Sequence, residues 1–165
     1  MDEKQIRQRL EMALELFYEK DMPLVNVKAA ERALTHKLAE HLQKLFPDYD
    51  VDCEYNKIKN GDPKKVRMLM KKHTECKQGC DNCAAGKCVI YPDIIVHHRE
   101  EGKDNLLVIE AKTDWSKENA CRDGEKLDAL TGDADYHYQL GVSFRFCSTL
   151  EETLRSFVLY PKKEG

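Results

Sequence analysis

Two apolar segments of strand length, separated by a short polar stretch, constrain the fold of this chain more than any other feature. They span residues 91–96 and 106–112, and the polar residues 100–105 lie between them. Two such runs joined in this way predict a β-hairpin. Because side chains alternate along a strand, Glu110 and Lys112 are expected to share one face with aliphatic residues. Charged groups in such surroundings are costly unless they are paired or bind a metal, so the pattern indicates a functional site.

An acidic residue on the first strand extends this candidate site. Asp93 follows Pro92, and it can face the same side as Glu110 if the register of the hairpin allows. Pro92-Asp93 followed by Glu110-Ala111-Lys112 resembles the PD-(D/E)xK signature of the restriction-endonuclease-like nuclease superfamily. The alternative interpretation is an aspartate that ends a turn and an ordinary solvated Glu/Lys pair on an edge strand.

The resemblance implies a metal-dependent site. Asp93 and Glu110, with the backbone carbonyl of Ala111, would hold Mg²⁺ or Mn²⁺, because hard cations are bound by a few carboxylates, water and substrate phosphate. Lys112 would position the attacking water or stabilise the negative charge that develops on the phosphate. The activity implied is hydrolysis of phosphodiester bonds, with nucleic acid, most simply DNA, as the partner.

A helix is predicted upstream of the first strand, over residues 26–46, with Asn26 as its N-cap and Pro47 after its end. In the superfamily, the helix before the first strand often carries a glutamate that points into the active site. Glu31 occupies the matching place and is the fourth candidate catalytic residue. The alternative is that Glu31 is a carboxylate favoured only by the helix N-terminus.

The other predicted elements complete an α/β fold. A leading helix over residues 3–19, capped by Asp2 with Gln5, is a candidate packing or dimerisation helix, so a homodimer is one possible state. The remaining predictions are strands at 50–55, 138–147 and 157–160 and a helix at 117–130. Over residues 28–147 this order matches the αβββαβ core of the superfamily, a mixed central sheet flanked by helices.

Composition sets the broad class. The chain has 165 residues, of which 41% are hydrophobic and 35% charged, which is typical of one globular domain with its own core. We find no apolar run of membrane-spanning length and no secretory signal, so we expect an intracellular, cytoplasmic protein with reduced cysteines and no membrane partner.

Residues 57–88 are interpreted as an insertion between the first strand and the hairpin, opening with a helix at Asp62-Pro63. The net charge of the chain is -3, but Lys and Arg are concentrated in this insertion. Such a local excess of positive charge can bind phosphates, although a solvated helix face is an equal alternative. The candidate nucleic-acid-binding residues are Lys64, Lys65, Arg67, Lys71, Lys72 and, on the later helix, Lys126.

The insertion also contains four of the chain's seven cysteines in a C-x3-C-x2-C-x4-C cluster. These are Cys76, Cys80, Cys83 and Cys88. Four thiolates in one short loop suit tetrahedral Zn²⁺ in a structural site, and His73 can replace one ligand. An iron–sulfur cluster is the alternative, and the first three cysteines also have the spacing of radical-SAM enzymes, although the chain is short for the barrel of those enzymes. Free thiols or disulfides are a third interpretation.

Three function hypotheses follow from these patterns. The first is a Mg²⁺-dependent endo- or exonuclease that acts through Asp93, Glu110, Lys112 and Glu31. The second is a catalytically inactive protein with the nuclease fold, which binds nucleic acid or a protein partner through its zinc insertion. The third is a redox or iron–sulfur protein. Fold alone does not separate them, because one fold can host several functions.

Overall fold

A computed structural model describes residues 1–57, 65–67, 83–84, 87–99, 104–116, 123–132 and 136–162, with the backbone alone described for 65–67, 83–84 and 87–88. Over these ranges the protein is α/β, with helices packed on a five-stranded mixed sheet and a second, three-stranded sheet. Among the described helices, none has both the length and the apolar character that crossing a bilayer requires.

The helices are α1 (Glu3–Lys20), α2 (Met22–Asn26), α3 (Glu31–Leu45), α4 (Asp123–Gly132) and α5 (Leu150–Arg155). The strands are β1 (Asp50–Cys53), β2 (Lys65–Arg67), β3 (Cys83–Ala84), β4 (Lys87–Val89), β5 (Ile94–His97), β6 (Leu107–Thr113), β7 (Leu140–Phe146) and β8 (Val158–Pro161).

The larger sheet has the strand order β1-β5-β6-β7-β8. Strands β5 and β6 form the predicted antiparallel hairpin, with Ile94 opposite Ile109 and Val96 opposite Leu107. Strands β6 and β7 are parallel, and the chain between them contains α4, as a parallel pair requires a crossover connection. The hairpin and the succession of helix, three strands, helix and strand are therefore confirmed for the main sheet.

One face of this sheet is covered by α1 and α3. Helix α1 begins with the predicted capping box, in which Asp2 and Gln5 exchange hydrogen bonds between side chain and backbone. Its apolar stripe packs with that of α3 against side chains of β5, β6 and β7. This cluster includes Leu10, Phe17, Leu34, Leu38, Ile94, Ile109, Val142 and Phe146, all fully buried.

The opposite face is covered by α4. Leu127 and Leu130 of this helix pack against Ile95 and Val108 of the hairpin and against Tyr138. Gly141 of β7 allows the close approach, because a Cβ there would lie 3.3 Å from the Cβ of Leu127. Val108 and Glu110 alternate onto this face, so α4 lies directly over the strand that carries the candidate site.

Two predictions of secondary structure are wrong. Helix α3 begins at Glu31 and not near Asn26, because Asn26 ends the short helix α2 and a turn follows it. In that turn Lys28 has a positive φ of 52°, which interrupts any continuous helix. Where a helix was predicted to open the insertion, the described residues 65–67 form β2.

The second sheet lies between β1 and β5 in the chain and has the strand order β2-β4-β3. Its strands pair antiparallel, and Cys83 of β3 lies opposite Cys88 of β4. Strand β2 lies alongside α4. Of the insertion, the described strand β2 thus lies on the α4 side of the main sheet.

Candidate functional site

Asp93 lies immediately before β5, at the point where the hairpin strands separate. Its Oδ2 atom accepts a hydrogen bond of 2.7 Å from the backbone N–H of Ala111. Its backbone carbonyl accepts another of 3.2 Å from the N–H of Glu54, just after β1. These two bonds fix the carboxylate against β6, at the peptide that follows Glu110, so the two acids predicted from the motif lie side by side.

Glu110 is the most buried charged residue of the site, with 1% of its surface exposed. Its Oε2 atom accepts a hydrogen bond of 2.9 Å from Nζ of Lys126 on α4. Asp123, one turn earlier on α4 and 6% exposed, lies 3.4 Å from the same ammonium group. Lys126, predicted as a phosphate ligand, therefore bridges two carboxylates, and its contact with nucleic acid remains a prediction.

The second carboxylate oxygen of Glu110 is unsatisfied. Oε1 is buried and has no hydrogen-bond partner among the described residues. Buried polar atoms almost always have a partner, and an orphaned one calls for a water or ion that supplies it. The lack of a partner for this buried oxygen among the described residues is the observation that most directly favours a cation at the site.

Lys112 lies two residues beyond Glu110 on β6. Its Nζ donates a hydrogen bond of 3.1 Å to Oε1 of Glu31, the first residue of α3. The start of α3 and the end of β6 are thus joined, and the structure brings Glu31, Asp93, Glu110 and Lys112 to one end of the hairpin. Their catalytic roles remain a prediction.

The surroundings disfavour charge on both acids. Burial raises the pKa of Asp93 to about 6, against the opposing effects of the Ala111 N–H and Lys112. Burial also raises the pKa of Glu110 to about 8, with Asp93 and Asp123 adding to the shift and Lys126 opposing it. Desolvation opposes the charge of Lys112, but the hydrogen bond to Glu31 and nearby acids outweigh it and raise its pKa. Asp93 lines a cleft, and a strongly shifted carboxyl group in a cleft is typical of functional sites.

The oxygen atoms of the site suit a hard cation that takes only a few of its ligands from the protein. In the part of the chain that the structure describes, no three His, Cys, Asp or Glu side chains converge as ligands of one metal ion. Mg²⁺ does not need three, because it retains several waters and is bound through one or two carboxylates and substrate phosphate. Asp93, the orphaned oxygen of Glu110 and the Ala111 carbonyl fit that pattern.

A cleft of about 700 Å³ opens beside Asp93 and Glu31. It lies between the α2–α3 turn, the end of β1 and the turn that follows β6. The sequence patterns did not single out three of its lining residues, which are Arg32, Glu54 and Trp115. They also missed Asp123, for which the only signal was its spacing of three residues from Lys126 on a helix.

The predicted metal and phosphate ligands of the insertion are mostly beyond the described ranges. Cys76, Cys80, Lys64, Lys71, Lys72 and His73 lie outside the described residues. Cys83 and Cys88 lie opposite each other in the backbone register of β3 and β4, and Lys65 and Arg67 belong to β2. Each of these four residues is described by its backbone alone. Zinc, iron–sulfur and phosphate binding in this segment remain predictions.

Comparisons with protein-family models, with curated proteins and with solved structures gave no match to this chain. Only the residues of the site and their geometry therefore indicate what this protein does.

Proposed function

We propose that this chain is a Mg²⁺-dependent nuclease that hydrolyses phosphodiester bonds, most simply in DNA, through a PD…ExK site. The observation that carries the proposal is the orphaned, buried Oε1 of Glu110 beside the anchored carboxylate of Asp93. The order of elements in the main sheet supports the resemblance to the restriction-endonuclease-like core. The fold alone would not, because function resides in the site.

Asp93 and Glu110 hold the cation, together with the carbonyl of Ala111. The hydrogen bond from the Ala111 N–H fixes one oxygen of Asp93, so that the carboxylate is oriented before the metal arrives. When bound, Mg²⁺ would act as a Lewis acid and lower the pKa of a water molecule for attack on phosphorus. Lys112, held by Glu31, would stabilise the negative charge that develops on the phosphate.

Lys126 neutralises Glu110 when no metal is present. A buried carboxylate without a counter-charge is costly, and the ammonium group removes that cost in the unloaded protein. Asp123 would retain the ammonium group if Glu110 bound a metal, because it already lies 3.4 Å from Nζ. Lys126 and Asp123 would therefore stabilise the folded site when no metal is bound, and they would not block a metal from binding.

The insertion grips the nucleic-acid backbone. Two of its basic residues, Lys65 and Arg67, belong to β2, which lies alongside α4. Phosphate contacts of this kind position a substrate without reading its sequence. Zn²⁺ bound by Cys76, Cys80, Cys83 and Cys88 would hold the insertion in shape.

The proposal is tested by cleavage assays on single-stranded, duplex and branched DNA and on RNA, each with Mg²⁺ and with EDTA. Asp93→Asn, Glu110→Gln and Lys112→Ala should each lower the cleavage rate by about 100-fold or more, because each removes a ligand or a stabilising charge. Glu40→Gln is the matched control, since this exposed carboxylate pairs with Lys37 far from the cleft. Circular dichroism checks that every variant is folded. Metal-dependent cleavage retained by all three site variants would refute the proposal.

A second candidate function is a binding protein with this fold that does not cleave. The observation that favours it is that two of the three candidate acids already form ion pairs with lysines. Glu110 pairs with Lys126, and Glu31 pairs with Lys112. Such a site is neutralised internally and needs no metal. Calorimetry distinguishes the two, because this candidate predicts no uptake of Mg²⁺ or Mn²⁺.

A further inference from the structure

The cleft beside Asp93 has an aromatic wall. Trp115 is partly exposed and lines the cleft, while its other side packs on the main apolar cluster. It is the only tryptophan of the chain. The cleft volume of about 700 Å³ lies in the usual range for small-molecule and nucleotide sites.

The position of Trp115 is fixed relative to the candidate catalytic strand. It follows β6 in a tight turn, three residues after Lys112. The preceding N–H, of Asp114, donates to the carbonyl of Phe146 at 3.0 Å, and the following N–H, of Ser116, donates to the carbonyl of Thr113 at 3.2 Å. The backbone on both sides of Trp115 is thus anchored to the main sheet and to its own turn.

The rim of the cleft carries two exposed cations, Lys28 and Arg32, and has two unusual backbone conformations. Lys28 and Glu54 both line it, and both have positive φ values, of 52° and 51°. Non-glycine residues in this region are uncommon and are concentrated at functional sites. Arg32 pairs with Glu54 at 2.7 Å, but its side chain is 83% exposed, so the pair is weak and Arg32 can exchange Glu54 for a phosphate.

The acids of the cleft do not prevent entry of a nucleotide. Glu31 is paired with Lys112, and one oxygen of Asp93 accepts a hydrogen bond from the Ala111 N–H. The Glu54 side chain is 46% exposed, so water solvates its carboxylate when Arg32 binds a phosphate instead. Lys28 adds a positive charge at the rim. The chemistry of the cleft is therefore an aromatic surface, backbone-anchored polar groups and exposed cations, which suits a nucleobase with phosphates on either side.

We propose that the cleft binds an unpaired nucleobase stacked on Trp115, with the flanking phosphates against Lys28 and Arg32, so that the substrate is single-stranded nucleic acid. This inference rests on the proposed nuclease function, because a bound single strand is a substrate only if the chain cleaves it. In a duplex both faces of a base are covered by its neighbours, and freeing one costs a few kcal/mol. A single strand presents its bases without that cost.

The test uses the full chain with Ca²⁺ in place of Mg²⁺, to limit cleavage. Oligothymidylate should quench the tryptophan fluorescence to saturation, since the signal comes from Trp115 alone. Oligouridylate in a parallel titration distinguishes DNA from RNA as the source of the strand. A duplex of the same length should bind about tenfold or more weakly, as the cost of unstacking predicts.

Anisotropy of a dye-labelled oligothymidylate measures affinity for the variants. Trp115→Ala should weaken binding about tenfold or more, because stacking on one aromatic ring is lost, and Trp115→Phe should retain most of the affinity. Tyr49→Ala is the control, since this ring stacks on His98 at the other end of β1. The inference is overturned if Trp115→Ala binds like the unmodified chain, or if the duplex binds at least as tightly as the single strand.

The two proposals can fail separately. If the chain cleaves nucleic acid and Trp115→Ala binds and cleaves single strands as well as the unmodified chain does, the nuclease proposal stands and the stacking site is wrong. If single strands quench Trp115 with the predicted affinity but no substrate is cleaved with Mg²⁺, the stacking site survives and the nuclease is wrong.

Discussion

The two faces of the main sheet differ in what they bury. Within the described residues, the α1/α3 face carries a cluster of 21 buried apolar residues, and the α4 face a cluster of only seven. The smaller cluster borders the buried Glu110 and Asp123 and the ammonium of Lys126. The larger cluster supplies the apolar burial that stabilises the fold, so the α4 face can accommodate costly charged groups.

This division explains where a site can form. A carboxylate with a raised pKa lowers stability when it ionises, and only a fold with sufficient stability elsewhere retains it. Strand β6 contacts both faces, with Ile109 in the large cluster and Glu110 directed to α4. Adjacent residues of one strand therefore belong to the apolar core and to the candidate site.

The largest effect is expected from truncating the α1/α3 core. Leu38→Ala removes a fully buried side chain and should lower the free energy of unfolding by about 2–5 kcal/mol. Urea unfolding measures the loss, and the cleavage rate per folded molecule should be unchanged. Leu130→Ala on the α4 face is the comparison, because it should also change metal affinity through nearby Lys126. Equal effects of both variants on metal affinity would contradict the separation of the two faces.

A smaller effect concerns pH. Because the pKa of Glu110 is raised to about 8 from 4.5, the folded state binds more protons than the unfolded state between these values, and stability falls as pH rises through that window. Glu110→Gln lacks this titration, so its free energy of unfolding relative to the unmodified chain should rise by about 1–3 kcal/mol from pH 5 to pH 9.

Urea unfolding of both proteins at several pH values measures this difference. Glu40→Gln is the control, because Glu40 is exposed and the difference should then stay constant with pH. A Glu110→Gln difference that is flat, or that falls with pH, would show that burial does not raise the pKa of Glu110.

The smallest effect is at the contact between α4 and β8. A Cβ at Gly124 would lie 2.8 Å from the hydroxyl oxygen of Tyr160, so Gly124→Ala should cost about 0.5–1.5 kcal/mol. In a Tyr160→Phe background that oxygen is absent and the next contact is 3.6 Å. There the higher helix propensity of alanine should make the same change neutral or stabilising. A double-mutant cycle of thermal unfolding tests this change of sign, and simple additivity would contradict it.

Local patterns in the sequence were sufficient to predict the hairpin, α1 with its capping box, and the strands around the candidate site. Each depends on residues that are near neighbours in the chain, such as the alternation from Leu106 to Lys112 or the Asp2–Gln5 exchange. The start of α3 was predicted wrongly because Asn26 has the features of an N-cap, and the turn at Lys28 left no comparable signal.

The contacts of the site could not be predicted from one sequence. The ion pair of Lys126 with Glu110 joins a helix to a strand, and the bond between Lys112 and Glu31 spans 81 residues. Such contacts depend on how α4 and α3 pack, which the spacing of charges does not encode. Trp115 was overlooked for the same reason, since its exposure to the cleft depends on the turns at Lys28 and Glu54.

Whether Asp93 and Glu110 form one cation site can be measured by calorimetric titration of the chain with Mn²⁺ at pH 8. We expect one equivalent to bind per chain at the carboxylates, with release of protons, because a pKa of about 8 leaves Glu110 partly protonated at this pH. Glu110→Gln and Asp93→Asn should each abolish this binding, while Glu40→Gln retains it. Undiminished binding in both site variants, or no binding by the unmodified chain, would contradict the claim.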